Sequence, residues 1–134
     1  MKVYIAASSK EFQRARSAMQ AARDAGHEIT HDWTQDLAAV GCAQGYNLPS
    51  DRRREIAERD LAAIRAADAL WLLIPEGASA GAWSEWGFAW ATCPLLIASG
   101  KPLEDAPLFT ELADHCFRTD EIAANYLRRH GLDV

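Results

Sequence analysis

Residues 67–91 read ADALWLLIPEGASAGAWSEWGFAWA. From Ala69 to Ile74 the chain is continuously apolar, bounded by Asp68 and Pro75 and far too short to span a bilayer, which predicts a fully buried strand. A loop of small residues follows over 76–81. A second apolar segment starts at Ala82, where Trp83, Trp86, Gly87 and Trp90 recur at the spacing of one helical face. Glu85 is expected on another side of that helix, in its first turn, with Phe88, Ala89 and Thr92 as neighbours. No ordinary charged face is available to it, and burying a carboxylate is costly without a partner or a chemical task. Strand, Gly/Ser loop and helix form the arrangement at which open α/β sheets bind ligands. An acid there suits ligand chemistry, or it simply favours the positive helix N-terminus. Position alone leaves both readings open.

Upstream, Ser50 is expected to cap a helix running to about Ala67, with Ile56, Ala57, Leu61, Ile64 and Ala67 on its buried side. Asp60 falls inside that apolar stripe, pointing between Ile56 and Ile64. An acid in an apolar arc must be paired, for instance with an arginine, or hydrogen-bonded, or held for chemistry. At the N-terminus residues 2–7 form a β-rich run ending at Ser8. Ser8 and Glu11 have capping-box spacing, and Phe12, Ala15, Met19 and Ala22 carry a helical stripe that Gly26 stops. Alternation over residues 27–33 predicts a second strand. His27 and His31 would then lie about 13 Å apart, too far to share a metal, and read as ordinary polar strand residues. Residues 36–49 have no clean period and read as a long loop.

Downstream, residues 94–98 form another buried strand, a helix follows near 107–114, and residues 116–118 make a fifth strand. Thr119 caps a last helix that ends at Gly131. Five alternations of strand and helix predict an α/β fold: a single doubly wound parallel five-stranded sheet, of flavodoxin-like order 2-1-3-4-5, with helices on both faces. The 134 residues, 49% of them hydrophobic, suit one domain over 1–134.

A formal net charge of −5 argues against a nucleic-acid polymer as partner, although Arg52, Arg53, Arg54 and Arg59 could meet a smaller anion or form a solvated face. Three cysteines, Cys42, Cys93 and Cys116, are odd in number and lack zinc-ligand spacing, so a reduced, cytoplasmic setting is expected. There is no signal-peptide pattern and no run long enough for a membrane span. The carboxyl edge of the sheet should gather Ser8, Ser9, Trp33, the 76–85 loop and Ser99. The glycine fingerprints of dinucleotide and triphosphate sites are missing there, and no histidine is placed to activate a serine. Asp60 and Glu85 are the strongest chemical pair.

Val3-Tyr4-Ile5-Ala6-Ala7-Ser8, Arg59-Asp60-Leu61 with Ala67-Asp68, and Ser79-Ala80-Gly81 running to Ser84-Glu85-Trp86-Gly87-Phe88-Ala89 together resemble the nucleoside 2-deoxyribosyltransferase superfamily. The resemblance spans most of the chain. It implies Glu85 as nucleophile on the anomeric carbon of a nucleoside sugar, Asp60 near the base and Tyr4 beside the nucleophile. Ser79, six positions before the glutamate, makes the chain more similar to the 2'-deoxynucleoside 5'-monophosphate N-hydrolases than to the transferases, which carry aspartate there. A serine donates to phosphate where an aspartate repels it. Ser8 and Lys10 match phosphate-contacting positions of the hydrolases, and Ser9, Trp33 and Gly81 belong to the expected substrate edge.

Cleaving an N-glycosidic bond needs a carboxylate for the oxocarbenium-like centre and an acid for the departing base, with no metal or redox cofactor. Half-burial should raise Asp60 and make it the proton donor, while Glu85 at a helix start should stay ionised. The expected partner is a small nucleoside or nucleotide, and the expected assembly is a homodimer or larger homo-oligomer. Ala7, where the family has glycine, and Trp83-Ser84, where it has a smaller pair, carry the alternative of a nucleotide-binding or sensing module without turnover. A third reading is an oligomeric scaffold whose tryptophans fill an interface.

Overall fold

The computed structural model describes residues 1–39, 48–101 and 107–130. Cys42, Gly131 and most of the expected 36–49 loop lie outside them. The elements are β1 (Lys2–Ala6), a 3-10 turn (Ser9–Glu11), α1 (Phe12–Asp24), β2 (Glu28–Ile29), α2 (Trp33–Ala39), α3 (Ser50–Ala66), β3 (Ala69–Leu73), α4 (Ala80–Thr92), β4 (Leu95–Ser99), α5 (Pro107–Thr110), β5 (His115–Phe117) and α6 (Asp120–His130). All pairings are parallel and the order is β2-β1-β3-β4-β5, as the alternation of elements predicts. No helix among the described residues is long and apolar enough to cross a membrane.

β3 sits in the middle and is buried along its whole length, which is why its sequence is apolar without alternation. Each large aliphatic side chain withdrawn from water there contributes about 1.5–3 kcal/mol. The period of two sends Tyr4 of β1 to the face covered by α4. The other face, towards α1 and α6, takes Trp71. Its indole donates to Ser99 Oγ at 2.7 Å, and Ser99 in turn donates to Asp120 Oδ1 at 2.6 Å. Ser99 thus ends β4 at the carboxyl edge as expected, but its hydroxyl is engaged on this far face and it does not line the cleft.

Arg14 of α1 closes that far side. Its Nε donates to Asp120 Oδ2 (2.6 Å), Nη1 to Glu11 (2.9 Å) and the Ile74 carbonyl (2.8 Å), and Nη2 to Asp120 Oδ1 (3.0 Å) and the Ser99 carbonyl (3.3 Å). Gly100 has φ +114° and a Cβ there would stand 2.7 Å from Arg14 Nη2, so both backbone and space demand glycine.

Several local expectations need correction. The second strand is only two residues long. Asp32 Oδ1 accepts from the Thr34 backbone N–H at 3.1 Å and caps α2, so Trp33 starts a helix instead of ending a strand. β1 stops at Ala6, before Ser8. Ser50 is the first residue of α3, not its cap; the cap position is Pro49, which has no side-chain donor or acceptor. Thr119 does cap α6, accepting from Ile122 N at 3.1 Å.

Candidate active site

At the carboxyl ends of β1 and β3 a cleft of about 680 Å³ opens, within the roughly 300–1,000 Å³ typical of small-molecule sites. Ala7, Ser8, Ser9 and Lys10 reach it from the turn after β1, and Trp33 and Leu37 from α2. Arg53, Ile56 and Asp60 reach it from α3, and Ser79, Gly81 and Glu85 from the start of α4. Every residue expected to bind substrate lines this one cleft, and Tyr4 is fully buried beneath Glu85.

The sequence builds each wall locally. Ser79 caps α4, its Oγ accepting from Ala82 N at 3.3 Å. Small residues at Ala80, Gly81 and Ala82 then keep the helix entrance open. Ala82, Trp86 and Ala89 form the buried face of α4. Glu85 is in the second turn, on the sheet side between Ala82 and Ala89, not in the first turn. The tryptophans divide: Trp86 is buried and donates to the Phe109 carbonyl at 2.8 Å, Trp83 is half-buried and Trp90 is exposed. Ser8 caps the turn after β1, accepting from Lys10 N at 3.3 Å. The Trp33 indole donates to the Ile5 carbonyl at 2.8 Å, which holds the ring at the end of β1.

Glu85 Oε2 accepts a hydrogen bond from the Tyr4 hydroxyl. Burial pushes the Glu85 carboxyl up to about 8, against the downward pull of that hydrogen bond and with a further push from the Asp60 charge. Burial likewise lifts Asp60 to about 6; His31 and Arg59 draw it down and Asp36 pushes it up. The Tyr4 phenol is raised well above its ordinary value, first by burial and then by the Glu85 and Asp60 charges. Asp60 is elevated as expected, but Glu85 does not stay ionised. It sits beyond the first turn, where the helix dipole fades, and desolvation dominates.

The structure separates two sets of residues that the sequence reading took together. Of the four arginines in the basic cluster, Arg53 lines the cleft and has no ion pair among the described residues, whereas Arg52, Arg54 and Arg59 are paired with Glu55, Glu58, and Glu55 with Asp36 respectively. The helical period of α3 could have placed Arg53 with Ile56 and Asp60. His31 and His27, expected to be equivalent, are not. His27 is structural: its Nδ1 meets the N-terminal amine at 3.0 Å and its Nε2 the Leu127 carbonyl at 2.8 Å. His31 Nε2 lies 2.7 Å from Asp36 Oδ2 and 4.0 Å from Asp60 Oδ1.

Ligand atoms of His31, Asp36 and Asp60 fall within 4.8 Å of one another, the one such grouping among the described residues. The 2.7 Å separation is that of a hydrogen bond between His31 and Asp36, and Arg59 holds the second Asp36 oxygen at 3.4 Å, so two of the three groups are already engaged with partners other than an ion. Asp60 Oδ1 is buried with no hydrogen-bond partner among the described residues.

No protein-family model matches the chain, and no curated protein sequence does. Among solved structures the chain is similar to a 2-deoxyribosyltransferase from the psychrotolerant bacterium Bacillus psychrosaccharolyticus. The TM-score is 0.76 at 18% identity, over 94% of this chain and 92% of that one. It is also similar to the Clostridium botulinum CMP N-glycosidase BcmB, with a TM-score of 0.61 at 14% identity over 97% of this chain and 100% of that one. At such identities the likeness is one of fold.

Proposed function

We propose that the protein cleaves the N-glycosidic bond of a (deoxy)nucleoside or nucleoside 5'-monophosphate. Glu85 is the nucleophile on the anomeric carbon, Asp60 gives a proton to the leaving base, and Tyr4 holds Glu85 in place. The observation that carries this reading is the Tyr4–Glu85 hydrogen bond in a cleft that also bears Asp60. Two carboxyl groups in one cleft are what glycoside chemistry requires, and the two structures of similar fold bear the names of enzymes that act at a glycosidic bond.

The carboxyls hold one proton between them at neutral pH. With Glu85 near 8 and Asp60 near 6, the form with the charge on Glu85 and the proton on Asp60 is the less populated of the two. A substrate that sets its anomeric carbon against Glu85 and its base against Asp60 selects the productive form. The C1'–N bond then breaks as a Glu85 oxygen bonds to C1'; the electron pair goes to the base nitrogen, which takes the Asp60 proton. Water, or a second base, resolves the glycosyl ester.

The same cleft offers donors for a 5'-phosphate, which supports the monophosphate-hydrolase reading. Ser8 and Ser79 accept from backbone N–H groups, which leaves their hydroxyl protons to donate. Lys10 and Arg53 add cations without ion-pair partners among the described residues.

The test is incubation with a panel of nucleosides and 5'-monophosphates, with free base as the readout. Base release that is lost in Glu85→Ala is expected. Release at an undiminished rate in that variant overturns the assignment. Binding without release of base is the result expected of a nucleotide-binding module, a reading favoured by the proton Glu85 retains at neutral pH.

A further inference from the structure

We propose that His31 is a positioning residue for Asp60, a hydrogen-bond donor that moves from Asp36 to Asp60 as Asp60 gives up its proton. This rests on the glycosidic reading of the cleft. His31 is not among the residues lining the cleft; it stands behind Asp60, on the segment leading into α2. Two carboxyl groups face it, Asp36 of α2 and Asp60 of α3, and Arg59 of α3 is paired with the other oxygen of Asp36. Its Nε2 is bonded to Asp36 Oδ2 at 2.7 Å, while 4.0 Å away lies Asp60 Oδ1, buried and without a hydrogen bond. Bringing Nε2 to hydrogen-bond length from Asp60 takes a displacement of about 1 Å.

The resting arrangement serves an acid. A buried carboxyl oxygen deprived of a donor favours the protonated form, so while His31 is engaged by Asp36, Asp60 keeps the proton it must deliver. When that proton passes to the base nitrogen, Asp60 is left as a buried anion with an unmet acceptor. His31 can then meet it without gaining or losing a proton of its own. When water attacks the glycosyl ester, the water proton returns to Asp60 and His31 returns to Asp36. Asp36 is the parking place for the donor, and Arg59 is bonded to its other oxygen.

The experiment compares wild type with His31→Leu and His31→Gln on two substrates that share a 2-deoxyribose. One is the best natural nucleoside or nucleotide; the other is 4-nitrophenyl 2-deoxyriboside, whose phenolate departs without needing a proton. Loss of about tenfold or more in kcat on the natural substrate is expected for His31→Leu, with little change on the aryl glycoside and partial retention in His31→Gln, which keeps an N–H donor. In parallel, the Asp60 carboxyl is titrated by carbon-13 NMR, and its midpoint should rise above about 6 in His31→Leu, since His31 draws it down. Equal losses on both substrates, or an unmoved Asp60 midpoint, overturn the proposal. If wild type cleaves neither substrate, the glycosidic reading falls by itself, and the NMR titration decides whether His31 acts on Asp60.

Discussion

The Tyr4 hydroxyl on β1 donates to Oε2 of Glu85 on α4, joining positions 81 residues apart in the chain at the end of the parallel sheet. The bond opposes the effect of burial on Glu85, so its removal has a definite sign. In the wild type, kcat/KM should be bell-shaped, with limbs near the two carboxyl values of about 6 and about 8. Tyr4→Phe should move the upper limb higher and lower kcat/KM by about tenfold to a hundredfold. A pH-rate profile of the two proteins checks both; an unmoved upper limb would detach Tyr4 from Glu85.

Stability should fall as the pH rises. The Glu85 carboxyl titrates near 4.5 in an unfolded chain and near 8 in the fold. Below the lower value it is protonated in both states and the fold suffers no penalty. Between the two, the unfolded chain releases a proton that the folded one retains, and stability declines until the higher value is passed. Each tenfold difference in proton affinity corresponds to about 1.4 kcal/mol. Glu85→Gln retains an acceptor for Tyr4 and loses the Glu85 part of this dependence, keeping only the smaller part from Asp60. Its melting temperature should exceed that of wild type by about 5 °C or more at about pH 9 and approach it at about pH 4. Parallel melting curves that keep the same gap at both pH values would contradict this.

Phosphate recognition separates hydrolase from transferase. In Glu85→Ala, which should bind without turnover, a 5'-monophosphate should bind about a hundredfold tighter than its nucleoside if two charge-assisted contacts are made. Lys10→Ala and Arg53→Ala should each narrow that gap by about tenfold and leave the nucleoside affinity alone. Calorimetry with both ligands measures the difference. Equal affinities would remove the cradle formed by Ser8, Ser79, Lys10 and Arg53.

Apolar rings remain uncovered on one side of the molecule. Trp90 is 61% exposed and Phe109 57%. They belong to neighbouring elements, because the Trp86 indole one turn before Trp90 reaches the Phe109 carbonyl. A homodimer or larger assembly is expected through this side, with Trp90→Glu shifting it towards monomer. Light scattering on the two proteins decides; a wild-type monomer at micromolar concentration removes the expectation.

What could be read from the chain depended on how local each signal was. The β3 run is apolar throughout because it is central, so its strand and the sheet order followed directly. Asp60 and Glu85 stood out because an acid in an apolar arc has few other uses. The Asp32 cap is a one-residue signal inside an apparent alternation, and α2 was missed with it. The His31 contacts with Asp36 and Asp60 depend on how α2 and α3 meet, which no periodicity encodes. The order of the two carboxyl values was inverted for a similar reason. Desolvation is a property of the assembled site, and placing Glu85 one turn too early credited it with a helix dipole that does not reach it.

Arg14 has five N–H donors in a rigid fork, and all five are engaged, on two carboxylates and on the carbonyls at the ends of β3 and β4. A lysine, with three hydrogens on a single atom, has no way to reproduce that span. The two faces of the sheet thus divide the labour. One is a keystone joint that sets the height at which the loops leave the strands; the other carries the cleft around Tyr4 and Glu85. Because that joint grips Glu11 and the Ile74 carbonyl, it also anchors the roots of the two loops that bring Ser8 and Ser79 to the cleft.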